Sequence, residues 1–252
     1  MKKISATLIT FNEEDNIREA LESLKWVDEI VVVDAHSQDK TVHIARQYTD
    51  KIYVQAWKGY VEQKNYAIKK ASFDWILSLD ADERATDELR EEIERLRTNG
   101  FACDGYFVAR KTFYLDRWIK HCGWYPNYQL RLFRKSKACW VGGSVHERCK
   151  VDGVTCYLEN PLLHYTYKNI FDHIERMNLY SSLSAQDRIS SGKKTNLIDI
   201  LGAPIAAFVK TYFIKLGILD GIPGLIISTI IAHYSFLKRI KVWEQSTKNG
   251  EK

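Results

Sequence analysis

At 252 residues, 45% of them hydrophobic and 27% charged, the chain suits one large α/β domain or a catalytic domain with an appendage, and a disordered chain is excluded. The net charge of +5 lies wholly at the end, where nine Lys or Arg from Lys193 onward meet four Asp or Glu; a uniformly basic nucleic-acid binder is therefore excluded. Five Cys, odd in number and without a Cys-x-x-Cys spacing, predict neither a disulfide framework nor a zinc knuckle, and with no apolar signal segment after Met1 the expected compartment is the cytoplasm.

In chain order, residues 4–10 read as a strand. Asn12 follows as the expected helix N-cap, with Glu13, Glu14 and Asp15 suited to a helix's positive end and Ile17, Ala20, Leu21 and Leu24 at helical spacing. Residues 29–34 form a β-branched strand ending in Asp34; Ser37, Asp39 and Thr41 then lead into a short helix. A third strand at 51–54 and a helix at 60–71 precede the run Trp75 to Leu79, which has the length of a buried strand and closes on Asp80 and Asp82. This alternation predicts a parallel sheet with right-handed crossovers. No Gly-x-Gly-x-x-Gly follows the first strand and no P-loop occurs. After an amphipathic helix at 87–97, strands are expected at 105–110, 130–134 and 153–158, joined by irregular loops, with 118–127 as a functional loop. A helix from Asn169, a break at 190–194, and apolar stretches at 197–209 and 216–232 complete the chain.

Ligands of parallel α/β sheets bind beyond the carboxyl ends of the strands, where the segment Thr10 to Glu13, Asp34 with Ser37 and Asp39, and Asp80 with Asp82 all fall. Spaced i and i+2 on extended backbone, Asp80 and Asp82 point the same way and suit Mg²⁺ or Mn²⁺. Lys64, on the preceding helix, is placed to reach phosphate. Each residue has a plainer alternative: a cap for Asn12, a turn for Asp34, a solvated surface position for Lys64.

The blocks Thr7 to Glu13, Val32 to Thr41, Gln63-Lys64-Asn65 and Leu79 to Glu83 resemble the signatures of family 2 inverting glycosyltransferases, over about residues 1–170. Within that family, Gly123-Trp124-Tyr125-Pro126, Arg131 to Arg134 and Val145-His146-Glu147 are similar to the bacterial lipopolysaccharide inner-core glucosyltransferase group. The resemblance implies a GT-A fold, a mixed α/β sheet flanked by helices, over 1–168. Residues 1–98 would form the nucleotide-sugar half and 99–168 the acceptor half, with a helical extension over 169–252. It implies a UDP-sugar donor site at Thr10, Phe11, Asn12, Glu13, Asp34, Ser37, Lys64, Asp80, Ala81 and Asp82, with Asp34 accepting a hydrogen bond from uracil. It further implies a divalent cation at Asp82, Asp80 and His164, Glu147 as general base, and acceptor contacts from Trp124, Tyr125, Arg131 and His146.

The expected reaction is transfer of a hexose, glucose first, to a lipopolysaccharide core or related lipid-linked glycan. A polyprenyl-phosphate acceptor and an inactive sugar-binding module are the alternatives. In the tail, Asp220 and Pro223 interrupt a spanning segment, so basic, aromatic-rich helices resting on the inner membrane leaflet are expected, with subunit association through the same helices as the alternative. Nucleic acid is not an expected partner.

Overall fold

A computed structural model describes residues 1–143, 147–193 and 195–250, with side chains to residue 247. The chain packs as two units, Met1–Lys111 with Asn127–Tyr165, and Thr112–Pro126 with Thr166–Lys252.

In the first unit, β1 (Ile4–Thr10), β2 (Glu29–Asp34), β3 (Ile52–Val54) and β4 (Trp75–Asp80) are parallel in the order β3-β2-β1-β4, linked through α1 (Ile17–Glu22), α2 (Thr41–Ala45) and α3 (Tyr60–Lys70). β2 is buried throughout, because helices cover both faces and leave no polar side to the strand. Leu8, Val32 and Leu77 pack with Ile17 and Leu21 of α1 on one face; Val31 and Ile76 pack with Ile68 of α3 on the other. The register sets Thr10 beside Asp34 and Ile9 beside Asp80, so these polar residues share the carboxyl edge.

After β5 (Glu83–Ala85) and α4 (Asp87–Asn99), the sheet continues antiparallel. β6 (Gly105–Tyr114) pairs with β7 (Arg117–Trp118) and with β8 (Asn127–Arg134), which in turn lies against β4. β9 (Ala138–Gly142) and β10 (Glu147–Val151) form a separate antiparallel pair. β11 (Thr155–Tyr157) joins β6, and β12 (Leu162–His164) runs antiparallel to β5. This is the mixed, helix-flanked sheet expected from the sequence.

Two local expectations are corrected. Asn12 does not cap a helix: its φ is 53°, in the left-handed region that Asn tolerates, and α1 begins only at Ile17. Its amide N–H donates to Ser37 Oγ at 2.8 Å and its Oδ1 accepts from Gln38 N–H at 2.9 Å, which ties the loop after β1 to the loop after β2 instead of winding it into a helix. Cys103 and Cys156 form a disulfide where no disulfide framework was expected; β11 lies beside β6 and brings the pair together.

Buried Glu29, at the start of β2, accepts from Ser5 Oγ at 2.5 Å, from Ser72 N–H and Ser72 Oγ, both at 2.7 Å, and from Lys51. Burial alone would raise its pKa, but the hydrogen bonds from Lys51, Ser5 and Ser72 outweigh this and bring it down to about 2. A carboxyl depressed on folding stabilises the fold above its unfolded pKa, here 4.5, and that contribution is lost as pH falls toward 2. Since Lys51 is half-exposed and solvent screens its charge, Glu29→Gln is expected to cost about 1–3 kcal/mol at pH 7. Urea denaturation should show the gap between the two proteins closing below pH 4.5. A gap unchanged at pH 3 would refute the assignment.

The second unit holds α5 (Ile170–Ser190), α6 (Leu197–Val209) and α7 (Gly221–Gly250). Asn169 caps α5 by accepting from Asp172 N–H, and Asn196 and Asp199 form a capping box on α6. Tyr114, Ile119, Cys122 and Ile227 make a small core. Asp220 is buried and accepts from the backbone N–H groups of Lys120 and His121 at 3.3 and 2.8 Å, so the acid that interrupts the apolar sequence faces inward. By length and composition alone, 197–214 and 217–247 could each cross a membrane; the most apolar window of the first is 6% buried and that of the second 39%.

Candidate active site

The carboxyl edge of the parallel strands organises the site. Asp34, 1% exposed, accepts from Thr10 Oγ1 at 3.1 Å and Ser37 Oγ at 2.5 Å on Oδ1, and from Ser37 N–H at 2.8 Å on Oδ2. A carboxylate offers about four acceptor positions, so one on Oδ2 is left for a ligand N–H. Phe11 stands 55% exposed on the adjoining loop, an aromatic face free to stack. Glu13 N–H donates to Thr41 Oγ1 at 2.7 Å, a second tie between the two loops.

At the end of β4, Asp80 is held between two cations, Lys64 Nζ at 2.9 Å from Oδ1 and Arg131 at 2.6 Å from Oδ2. Burial would raise the Asp80 pKa, but the Arg131 charge and then the Lys64 charge hold it well below the usual carboxylate range. Arg131 reaches this edge because β8 runs antiparallel to β4, with Leu132 opposite Leu77. It is 2% exposed and also contacts the fully buried Glu83 at 2.5 Å. Glu83 accepts from Asp80 N–H at 3.0 Å and lies 3.5 Å from Arg110, completing a buried network.

Asp82 lies one step further on. The pairing of β12 with β5 sets His164 opposite Glu83, and Tyr165 N–H donates to the Asp82 carbonyl at 2.9 Å. His164 Nε2 thereby comes within 3.3 Å of Asp82 Oδ2. Burial opposes ionisation of Asp82, and His164 more than offsets it, so the pKa is lowered. Among the described residues, no three His, Cys, Asp or Glu groups gather closely enough to hold a metal. Asp82 and His164 nonetheless supply an oxygen and a nitrogen donor side by side, which fits a divalent ion whose remaining ligands are phosphate and water. Asp80, also an expected ligand, is engaged by Lys64 and Arg131 instead.

Lys64 joins this cluster to Glu147, with Nζ 3.1 Å from Oε1 and 4.4 Å from the Trp140 ring centre. The link depends on Asn65, whose side chain accepts from Trp140 N–H and donates to Trp140 C=O, both at 2.9 Å, and so docks β9 on α3. A cavity of about 810 Å³ opens between these elements, lined by Lys64, Asp80, Arg110, Arg131, Glu147 and Arg148 among others. Four cations against two carboxylates there favour an anionic ligand.

Of the other expected site residues, Ala81 is buried in the core, and His146 lies outside the described residues. Trp124 belongs to the second unit and packs on Tyr114, Tyr167 and His173 at centroid distances of 5.4, 6.0 and 5.9 Å; Tyr125 is half-buried in that unit. Arg131 lies in the buried ion-pair network, not on an open acceptor surface. Sequence reasoning missed Glu83, Arg110 and Trp140. Glu83 alone carried a signal, as the third carboxylate of Asp80-Ala81-Asp82-Glu83.

Residues 5–151 match the family described as Glycosyl transferase family 2. A Rickettsia typhi protein named only as an uncharacterized glycosyltransferase, RT0209, is 34% identical over 262 residues, covering 99% of this chain and 89% of the relative. The lipopolysaccharide core biosynthesis glycosyltransferase LpsC of Rhizobium meliloti is 30% identical over 249 residues, covering 96% and 92%. Among solved structures, Staphylococcus aureus TarS residues 1–349 in complex with UDP-GlcNAc overlays at a TM-score of 0.49 with 17% identity, covering 98% of this chain and 92% of that one. With the domain match and near full-length relatives in agreement, the chain belongs to glycosyl transferase family 2 and is a glycosyltransferase of GT-A fold.

Proposed function

We propose that this enzyme transfers a hexose, glucose being the expected one, from a UDP-sugar with inversion to a lipopolysaccharide-core or related lipid-linked glycan. The setting is the cytoplasmic face of a membrane, with the enzyme peripherally attached. The observation that carries the reading is the Asp82–His164 pair, 3.3 Å apart, set beside the cation-held Asp80 at the carboxyl edge of the sheet. The likeness to LpsC along most of both chains supports the class of acceptor.

In this reading Phe11 stacks on the base and the open position on Asp34 Oδ2 accepts the uracil N–H. Asp82 and His164 would hold the divalent ion, Mn²⁺ or Mg²⁺, which when bound neutralises charge on the departing diphosphate. Lys64 adds a further positive charge beside that group, while Arg131 keeps Asp80 ionised and oriented. Glu147 takes the proton from the acceptor hydroxyl as it attacks the sugar carbon.

Purified protein screened against a panel of UDP- and GDP-sugars with Mn²⁺, reading nucleotide release, tests the proposal. One UDP-hexose should stand out, chelation should abolish release, and Asp82→Asn should lower it by about 10²-fold or more. Full activity in chelator, or in Asp82→Asn, would overturn it.

A further inference from the structure

We propose that the outer face of α6, with Arg188, Lys238 and Arg239 beside it, docks on a leaflet of anionic phospholipid. The inference deepens the preceding reading, on which its purpose rests, by naming the surface that meets the membrane.

α6 has no buried residue. Leu197, Ile198, Leu201 and Ile205 are 69%, 80%, 59% and 66% exposed. At about 100° per residue these four, with Val209, span about 120° of arc, whereas Asp199 and Lys210 fall on the other side of the helix. The apolar surface continues past α6 through Phe213 and Ile214, also exposed. Isolated exposed leucines are ordinary, but a contiguous apolar stripe of this size marks an interaction surface.

The charges beside the stripe select the occupant. Tyr234 of α7 hydrogen-bonds Ser184 of α5 at 2.7 Å, and Lys241 bonds the Asn178 and Ser181 side chains, both at 2.7 Å, so these helix segments run antiparallel. That register brings Lys238 and Arg239 to the same end of the helix pack as Arg188. Among the described residues none of the three forms an ion pair, and the buried Nε atoms of Arg188 and Arg239 have no hydrogen-bond partner. Burial, then the charges of Arg239 and Arg188, lower the Lys238 pKa, the sign of a positive field without a counter-ion. Asp199 is the acid that acts on Arg239. Trp243, one turn further along α7, is 52% exposed, as suits an aromatic at headgroup depth.

Phosphate headgroups complement this cluster while acyl chains complement the stripe, an arrangement found in interfacial helices. A second copy of the chain docked by a two-fold axis would present the same cationic cluster to its mate, which disfavours self-association through this face.

The test is co-sedimentation of the full-length protein with extruded vesicles of phosphatidylcholine alone or with phosphatidylglycerol added. The wild type should pellet with anionic vesicles and be released by salt. The exposed double substitution Ile198→Glu with Ile205→Glu should weaken pelleting at least tenfold, and Arg188→Gln with Arg239→Gln should weaken it by about fivefold per charge removed. Nucleotide release from a soluble UDP-sugar should be unchanged in both variants, so a failed lipid assay and a failed glycosyltransferase assay are distinguishable. Wild-type protein that ignores both vesicle types, or variants that pellet like wild type, would overturn the proposal. So would a wild-type dimer that the Ile198→Glu, Ile205→Glu variant breaks without lipid.

Discussion

Replacing Arg131 with Met should destabilise the catalytic unit by about 3–5 kcal/mol. The guanidinium is 2% exposed and holds two carboxylates, Asp80 at 2.6 Å and Glu83 at 2.5 Å. Without it, Glu83 stays fully buried with Arg110 at 3.5 Å as its nearest cation, and Asp80 keeps only Lys64. A methionine fills similar volume, so the loss reports uncompensated charge rather than a void. Thermal unfolding of the variant should start on the order of 10 °C lower. The double variant Arg131→Met, Glu83→Gln should recover roughly 1–3 kcal/mol against the sum of the single effects, since the two groups share one network.

The pH dependence gives the same prediction a sign. The Asp80 pKa is depressed in the folded protein, against burial, first by Arg131 and then by Lys64. Its contribution is therefore present above the ordinary value of 3.8 and lost as pH falls through its much lower folded value. Removing Arg131 raises the folded value toward 3.8 or beyond, so the penalty of Arg131→Met should shrink on acidification below about pH 4. A penalty under ~1 kcal/mol, constant with pH, would show that the network carries no such weight.

How much of this was legible in the sequence depends on the range of the interaction. The strand ends at Thr10, Asp34 and Asp80 could be read because continuous apolar runs mark strands buried on both faces, and their termini follow from local pattern. Asn12 was misread because a cap and a left-handed loop residue use the same residue types, and the Ser37 and Gln38 partners that decide between them come from the next strand's loop. The buried network was illegible for a stronger reason. Glu83, Arg110 and Arg131 meet only after β6 and β8 fold back antiparallel beside β4, and in the sequence each reads as a solvated surface charge. Likewise the membership of residues 112–126 in the second unit rests on backbone bonds such as Cys122 N–H to Lys215 C=O at 3.0 Å, which no local period encodes.

The largest effect on turnover is expected at Glu147. If it is the general base, Glu147→Gln should lower the transfer rate by roughly 10²–10⁴-fold, read as sugar transfer to acceptor at saturating donor. Nucleotide binding should move by less than about threefold, because the amide keeps the size of the carboxyl and Lys64 retains Asp80 at 2.9 Å and the Trp140 ring as partners. The geometry also implies an order of events. With Nζ 3.1 Å from Oε1, Lys64 engages the carboxylate that must accept the proton. An arriving diphosphate competes for the same ammonium, so donor binding frees the base and an acceptor arriving first meets it occupied. Initial-rate kinetics should then show the donor binding before the acceptor, and Lys64→Met should weaken that order while raising the donor KM. An acceptor that already bears a phosphate nucleophile needs no such base: if Glu147→Gln transfers at near wild-type rate, the acceptor is of the polyprenyl-phosphate type and the hydroxyl-acceptor reading fails.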